Sequence, residues 1–174
     1  QEEQMRLVQQ GCTAVDWTKI EVVEDFVPEY VQNVAFSGRV RLGRFERVFV
    51  QPGGFEVHSG VFYARLHNVT IGDNCYIDRI HNYIANYEIG NDVFIENTNL
   101  IVVDGTTTFG NGVRVPVMNE SGGREVPIYD NLSAHLAYIL TLYRHEREMI
   151  AELERLIDEY VENQKREVGK IGDN

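Results

Sequence analysis

From Ile71 to Thr106 the chain reads in blocks of six residues, led by Ile71, Ile77, Tyr83, Ile89, Ile95 and Ile101. An amphipathic helix needs apolar residues at three- and four-residue steps, so this spacing excludes a helix. A period of six predicts a parallel β-helix, each block supplying one short strand and one corner. The apolar lead points inward, and Gly, Asn or Asp turns the corner. Three blocks close a coil, which stacks Ile71 on Ile89, each followed by glycine (Gly72, Gly90). The coil is expected over residues 34–117. In its first half Leu42, Val48, Gly54, Gly60 and Leu66 keep the six-residue step, and the five residues from Leu66 to Ile71 shorten one corner. Pro52-Gly53-Gly54 is a turn that the regular blocks lack. Beyond Thr106 the frame slips. Phe109-Gly110 reads as another corner, Val115 follows six residues later, and Pro116 ends the regular run.

The flanking segments follow a different grammar. Residues 1–33 read as a lead-in and cap: a short helix over Gln1–Gln10 with Met5, Leu7 and Val8 as its contacts, a stop at Gly11, and a turn at Asp16. Trp17 is expected to plug the open first coil, because a repeat stack must cover its terminal core. Residues 118–129 form a polar loop between Pro116 and Pro127. From Ser133 the apolar residues Leu136, Leu140, Ile150, Leu153, Ile157 and Val161 recur at helical steps, so residues 130–167 are an α-helical insertion. Asp130 or Ser133 caps it. It is either one rod of roughly 50 Å, at 1.5 Å per residue, or two helices broken at the polar patch Arg144–Glu148. Ile171-Gly172-Asp173-Asn174 repeats the residues at 71–74, so 168–174 read as the start of a further, truncated coil. On that reading the natural protein continues, and the C-terminus lies at a coil edge. The fold expected is mostly β, a parallel β-helix carrying a helical insertion.

The formal charge of −11 argues against nucleic acid or an anionic membrane as partner, since both select basic surfaces. Cys12 and Cys75 are too few for a disulfide framework, and Cys75, at the fifth position of its block, reads as a buried thiol. No apolar run approaches the ~20 residues of a membrane span, and Gln1–Gln10 is too polar for a signal peptide. A cytoplasmic protein is the expectation.

At residues 66–74, Leu-His-Asn-Val-Thr-Ile-Gly-Asp-Asn, the chain resembles the hexapeptide-repeat acyltransferases. Taken whole, it looks like a Bacteroidetes-type family of long hexapeptide-repeat proteins with a helical insertion. That likeness rests on Gly11-Cys-Thr-Ala-Val-Asp-Trp17, His81-Asn-Tyr-Ile-Ala-Asn-Tyr87, Asn119-Glu-Ser-Gly-Gly-Arg-Glu125 and Leu142-Tyr-Arg-His145. The resemblance implies a left-handed coil, a homotrimer, and acyl transfer to a sugar or sugar nucleotide, with acyl-CoA as donor. It makes His67 the catalytic base, since imidazole in general is the side chain that titrates closest to working pH. Asn68 stands where many relatives carry Asp, so no adjacent carboxylate orients the ring. His81-Asn82 repeats the His67-Asn68 pair and makes His81 a second candidate. With His58 these histidines lack the spacing of a zinc site within one chain, so no metal is expected.

From the residues themselves, Asn119, Glu120, Arg124 and Glu125 form a candidate ligand-binding loop. Arginine grips phosphate or carboxylate through two parallel hydrogen bonds, and Gly122-Gly123 exposes backbone N–H groups. A small anionic ligand fits this loop. Two functional readings follow: an acyltransferase-like enzyme, or a non-enzymatic oligomeric scaffold or ligand-binding module.

Overall fold

The computed structural model describes residues 2–117, 121 and 125–172. The chain divides into two compact units, Gln1–Asp104 with Val168–Asn174, and Gly105–Glu167.

The first unit begins with α1 (Glu2–Gln9), which buries Leu7 and leaves Met5 and Val8 exposed. Gly11 follows with φ +79. Strand β1 (Thr13–Ala14), a 3-10 turn at Trp17–Lys19 and β2 (Ile20–Val22) come next. Asp16 caps the turn by accepting from the Thr18 amide, and Trp17 meets Phe36 edge-on at 6.2 Å. The lead-in is therefore more than a cap, because β1 and β2 both pair in parallel with β3 (Val31–Leu42).

Strand β3 and its neighbour β6 (Gly60–Ile71) are each twelve residues long, and neither is straight. Asn33 and Gly38 bend β3, and Tyr63 and Asn68 bend β6, all with positive φ. A left-handed residue resets the alternation of side chains, so the buried set is Val31, Val34, Phe36, Val40 and Leu42 rather than every second position. Asparagine tolerates that backbone better than most residues. The bends carry β6 across three sets of partners: β7 (Tyr76–Asp78) pairs with its start, and β8 (Tyr83–Ile89) with its middle and end. Strands β9 (Phe94–Glu96) and β10 (Leu100–Val102) extend the stacks beyond β7 and β8. The product is a large parallel sheet with one continuous apolar core.

Paired residues stand eighteen apart between β6 and β8 and between β7 and β9, as in Ile71–Ile89 and Ile77–Ile95, sixteen apart between β6 and β7, and seventeen between β8 and β10. Between β3 and β6 the step is thirty, as in Val31–Val61. The twelve additional residues form an antiparallel hairpin, β4 (Val48–Val50) and β5 (Glu56–His58), turned by Pro52-Gly53-Gly54. Val48 and Gly54 thus leave the six-residue frame, and both are exposed. Ile77 and Ile89 are buried, and Ile95 and Ile101 are half-buried against the same core. Tyr83 is a second departure. Ile84, not Tyr83, lies in register with Leu66 and Ile101 and is buried, while Tyr83 faces out. Ile80 is buried just upstream, so that block runs one residue long.

The second unit contains the hairpin β11 (Val113–Pro116) and β12 (Glu125–Ile128), and the helices α2 (Ala134–Leu142) and α3 (Arg147–Asn163). Phe109-Gly110 and Val115, read above as continuing the coil, belong here, and β11 pairs antiparallel with β12. Pro116 and Pro127 sit inside this hairpin, opposite Glu125 and Arg114. A strand with a single partner has an open side that tolerates a residue without an N–H. Ser133 is the cap of α2, accepting from the Leu136 amide, whereas Asp130 accepts the Tyr160 hydroxyl at 2.6 Å. The helical stretch is broken, and Arg144 donates to the Leu140 and Val117 carbonyls at the end of α2. Val126, Leu140 and Ile157 form this unit's buried centre. No helix among the described residues is long and apolar enough to cross a membrane.

The chain then rejoins the first unit as β13 (Gly169–Ile171), parallel to β8 with Ile171 opposite Ile89. Here three corners stack. Gly43 donates to the Ile71 carbonyl, Gly72 to Ile89 and Gly90 to Ile171, at 2.7–2.8 Å. A methyl group on Gly72 would lie 2.7 Å from the Gly90 carbonyl carbon, closer than any real contact. Backbone cannot retreat as a side-chain tip can. Gly72→Ala should therefore lower the unfolding free energy by about 1–3 kcal/mol, the usual cost of overpacking. Chemical denaturation checks this, and an unchanged midpoint would mean that the corners do not pack this closely.

Candidate functional site

Along the sheet, Ser37, His67, Ala85 and Val102 fall in one register row across β3, β6, β8 and β10. Leu66 points into the core, so its neighbours Arg65 and His67 point out together. Ala85 is small, and the room it leaves beside His67 opens into a cavity of about 560 Å³. Ser37, Arg65, His67, Tyr83, Asn86 and Asp104 supply its polar lining, over Leu66, Ala85 and Val102.

The His67 ring is held at both nitrogens. The Arg39 amide donates to Asn68 Oδ1 at 3.0 Å, which turns the Asn68 amide nitrogen toward His67 Nε2 at 3.1 Å and Asn86 Oδ1 at 3.2 Å. Asn86 in turn donates to the Val103 carbonyl at 2.8 Å. Nε2 is then an acceptor, which assigns the ring hydrogen to Nδ1, donating to Ser37 Oγ at 2.8 Å. The Ser37 hydroxyl passes on to the Leu66 carbonyl at 3.3 Å. Every lone pair that a general base would use is thus engaged by the protein. Asn68, at φ +52, bends the strand and anchors the ring at once.

His81 does not share this cavity. It lines an adjoining one of about 290 Å³ with Asn33 and Tyr63, and Arg65 lines both. Arg65 makes no ion pair or hydrogen bond among the described residues. His58 lies elsewhere, stacked on Tyr30 at 3.6 Å with Nδ1 2.8 Å from the Ser59 carbonyl oxygen. Glu125 belongs to the second unit and lines a separate cavity with Arg144, His145 and Arg147. Asn119, Glu120 and Arg124 lie outside the described residues. Among the described residues no three His, Cys, Asp or Glu side chains gather as metal ligands.

Sequence reasoning missed Ser37, Arg65, Tyr83, Asn86 and Asp104. Arg65 was within reach, since a residue two positions from His67 on the same strand shares its face. Ser37 was not, because its register depends on the length of the β4–β5 hairpin.

A second polar group lies under that hairpin. Asp78 is 4% exposed, accepts from the Tyr76 hydroxyl at 3.2 Å and pairs with Arg79 at 2.9 Å. Arg79 also reaches Glu96 at 3.4 Å, and Gln51 from the hairpin turn donates to Glu96 at 3.3 Å. Phe49 packs edge-on against Phe94 at 5.4 Å, and Phe94 stacks on Tyr76 at 4.7 Å. These groups satisfy one another and fasten the hairpin to the sheet. Burial first, then the Asp78 charge and hydrogen bond, push the Tyr76 phenol up to about 12. The raised value favours the protonated fold. Its stabilisation is full below ~10, the ordinary phenol value, and is lost as pH climbs to about 12. The tyrosinate absorbance of Tyr76, taken as the difference between the parent protein and Tyr76→Phe, should titrate in that high window. Asp78→Asn should move it part of the way back down, leaving the effect of burial.

No curated protein and no solved structure matches the chain. A family model described as a domain of unknown function, DUF4954, matches residues 1–174. This overturns the assignment to a Bacteroidetes-type hexapeptide-repeat family allied to the acyltransferases. The residues that suggested it have backbone duties: Ile71 fills the core, Gly72 packs on Gly90, and Asp73 and Asn74 accept the amides of Arg44 and Glu46. Such a corner is demanded by stacked parallel strands whatever the chemistry, and so does not identify an enzyme. Matched over its whole length, the chain belongs to the DUF4954 family.

Proposed function

We propose that the first unit is a non-enzymatic ligand-binding module whose site is the outer face around His67, and that its ligand is a small organic anion. Arg65 carries this reading. In a chain of charge −11, a guanidinium without a partner among the described residues stands between two cavities. Such a group offers a carboxylate or phosphate two parallel hydrogen bonds. Tyr83 and the Ala85 and Val102 floor offer apolar surface to the body of the ligand. His67 serves as a fixed wall, since its nitrogens already hold Ser37 and Asn68. The finer fold we propose for this unit is a left-handed parallel β-helix. The eighteen-residue step and the positive-φ bends support it, and it would give the site a rigid floor.

Hexanoate is a suitable probe. NMR titration should shift the ring signals of His67 and Tyr83, and Arg65→Gln should weaken binding by about tenfold or more, as expected for loss of a charge-assisted pair. Equal binding by parent and variant would reject the reading. So would product formation from acetyl-CoA and a sugar nucleotide that disappears in His67→Gln, which would make this an acyl-transfer site.

A further inference from the structure

Opposite Arg65 the same cavity carries Asp104, exposed and with no ion pair or hydrogen bond among the described residues. Two opposite charges that border one space, each without a partner, ordinarily close on each other. These do not, and strand geometry explains why. Arg65 is on β6, while Asp104 lies two residues past the end of β10, with β8 between them. Two strand spacings of about 4.8 Å already separate the backbones by about 10 Å. The Asn86 side chain, which donates to the Val103 carbonyl, holds the Asp104 end in place. Between the charges the floor is apolar: Ala85 and Val102.

We infer that the His67 cavity recognises a dipolar ligand, with a carboxylate at Arg65 and an ammonium or guanidinium at Asp104, joined by an apolar spacer of several bonds. This deepens the proposed function and rests on it. Charge complementarity supplies the argument: a ligand with only one charge engages one of the two groups and leaves the other to water, whereas a dipolar ligand engages both. A compact amino acid such as glycine, whose charges are adjacent, would reach one group and miss the other. A spacer of about three to five methylenes reaches both and lies along the floor, since an extended chain gains little more than an ångström per bond.

The test is a titration series on the full chain with hexanoate, hexan-1-amine, glycine, 4-aminobutanoate and 6-aminohexanoate, followed by calorimetry and by the Tyr83 ring signals. The inference expects one of the two longer amino acids to bind at least about tenfold tighter than hexanoate, the scale of one added charge-assisted contact. Asp104→Asn should abolish that advantage, with hexanoate binding at least as tightly as to the parent because a repelling carboxylate is gone, and Arg65→Gln should weaken both. Both substitutions are at exposed positions, so folding is not at issue; an unchanged denaturation midpoint verifies it. If hexanoate binds and no amino acid binds tighter, the dipolar ligand is rejected and the anion site stands. If glycine binds best, the spacing argument is overturned. If no probe binds, both readings fall.

Discussion

Backbone stacked directly on backbone at the corners sets the geometry of the first unit. Gly43, Gly72 and Gly90 lie one above another, each donating to the carbonyl that precedes the next glycine. Nothing larger than hydrogen fits between Gly72 and Gly90. That contact keeps the register of Ile71 on Ile89 and Ile89 on Ile171, and register keeps one face of every strand apolar. Around it, asparagines and aspartates cap the corner amides: Asn91 serves Asp73, and Asp73 serves Arg44. The polar residues of the repeat are consumed in this way before any ligand is considered.

The same economy governs His67. Asn68 must take a left-handed conformation to bend β6, and its side chain then has three calls on it: the Arg39 amide, the His67 ring and Asn86. A histidine followed by asparagine next to an Ile-Gly corner suggests chemistry when read as a string. In the fold it is the middle of a hydrogen-bond chain that runs from Ser37 on β3 to the Val103 carbonyl just past β10. A side chain held in this way favours recognition, because a preformed wall loses little entropy when a ligand arrives.

What gives the face its character is a pair of charges that the sheet holds apart. Arg65 and Asp104 are thirty-nine positions apart in the chain and border one cavity. Elsewhere the arrangement is different: Arg39 meets Glu21, Arg47 meets Asp92, and Arg79 meets both Asp78 and Glu96. Exposed pairs of that sort contribute little to stability. Their interest here is as contrast, since in each of them the partners lie within reach of one another.

The repeating isoleucines and their glycines were enough to read a parallel β architecture, because side-chain periodicity and corner sterics are local rules written every few residues. Burial of Ile71, Ile77 and Ile89 and the stack at Gly72 follow from those rules alone. The break between α2 and α3 and the Ser133 cap were legible only as one of two alternatives each, a single rod and an Asp130 cap being the others, although each depends on a few consecutive residues. The outward turn of Tyr83 was not, since an extra residue between Ile77 and Ile84 is absorbed silently by a bend. Nor was the meeting of Ser37 with His67, or of Arg65 with Asp104. Those depend on how many residues separate paired strands: the step is eighteen at Leu66–Ile84 and thirty at Ser37–His67, where the β4–β5 hairpin intervenes without altering the local pattern on either side. Which side chains share a face was therefore written in single strands, while which strands share a site was settled by the lengths of the connections between them.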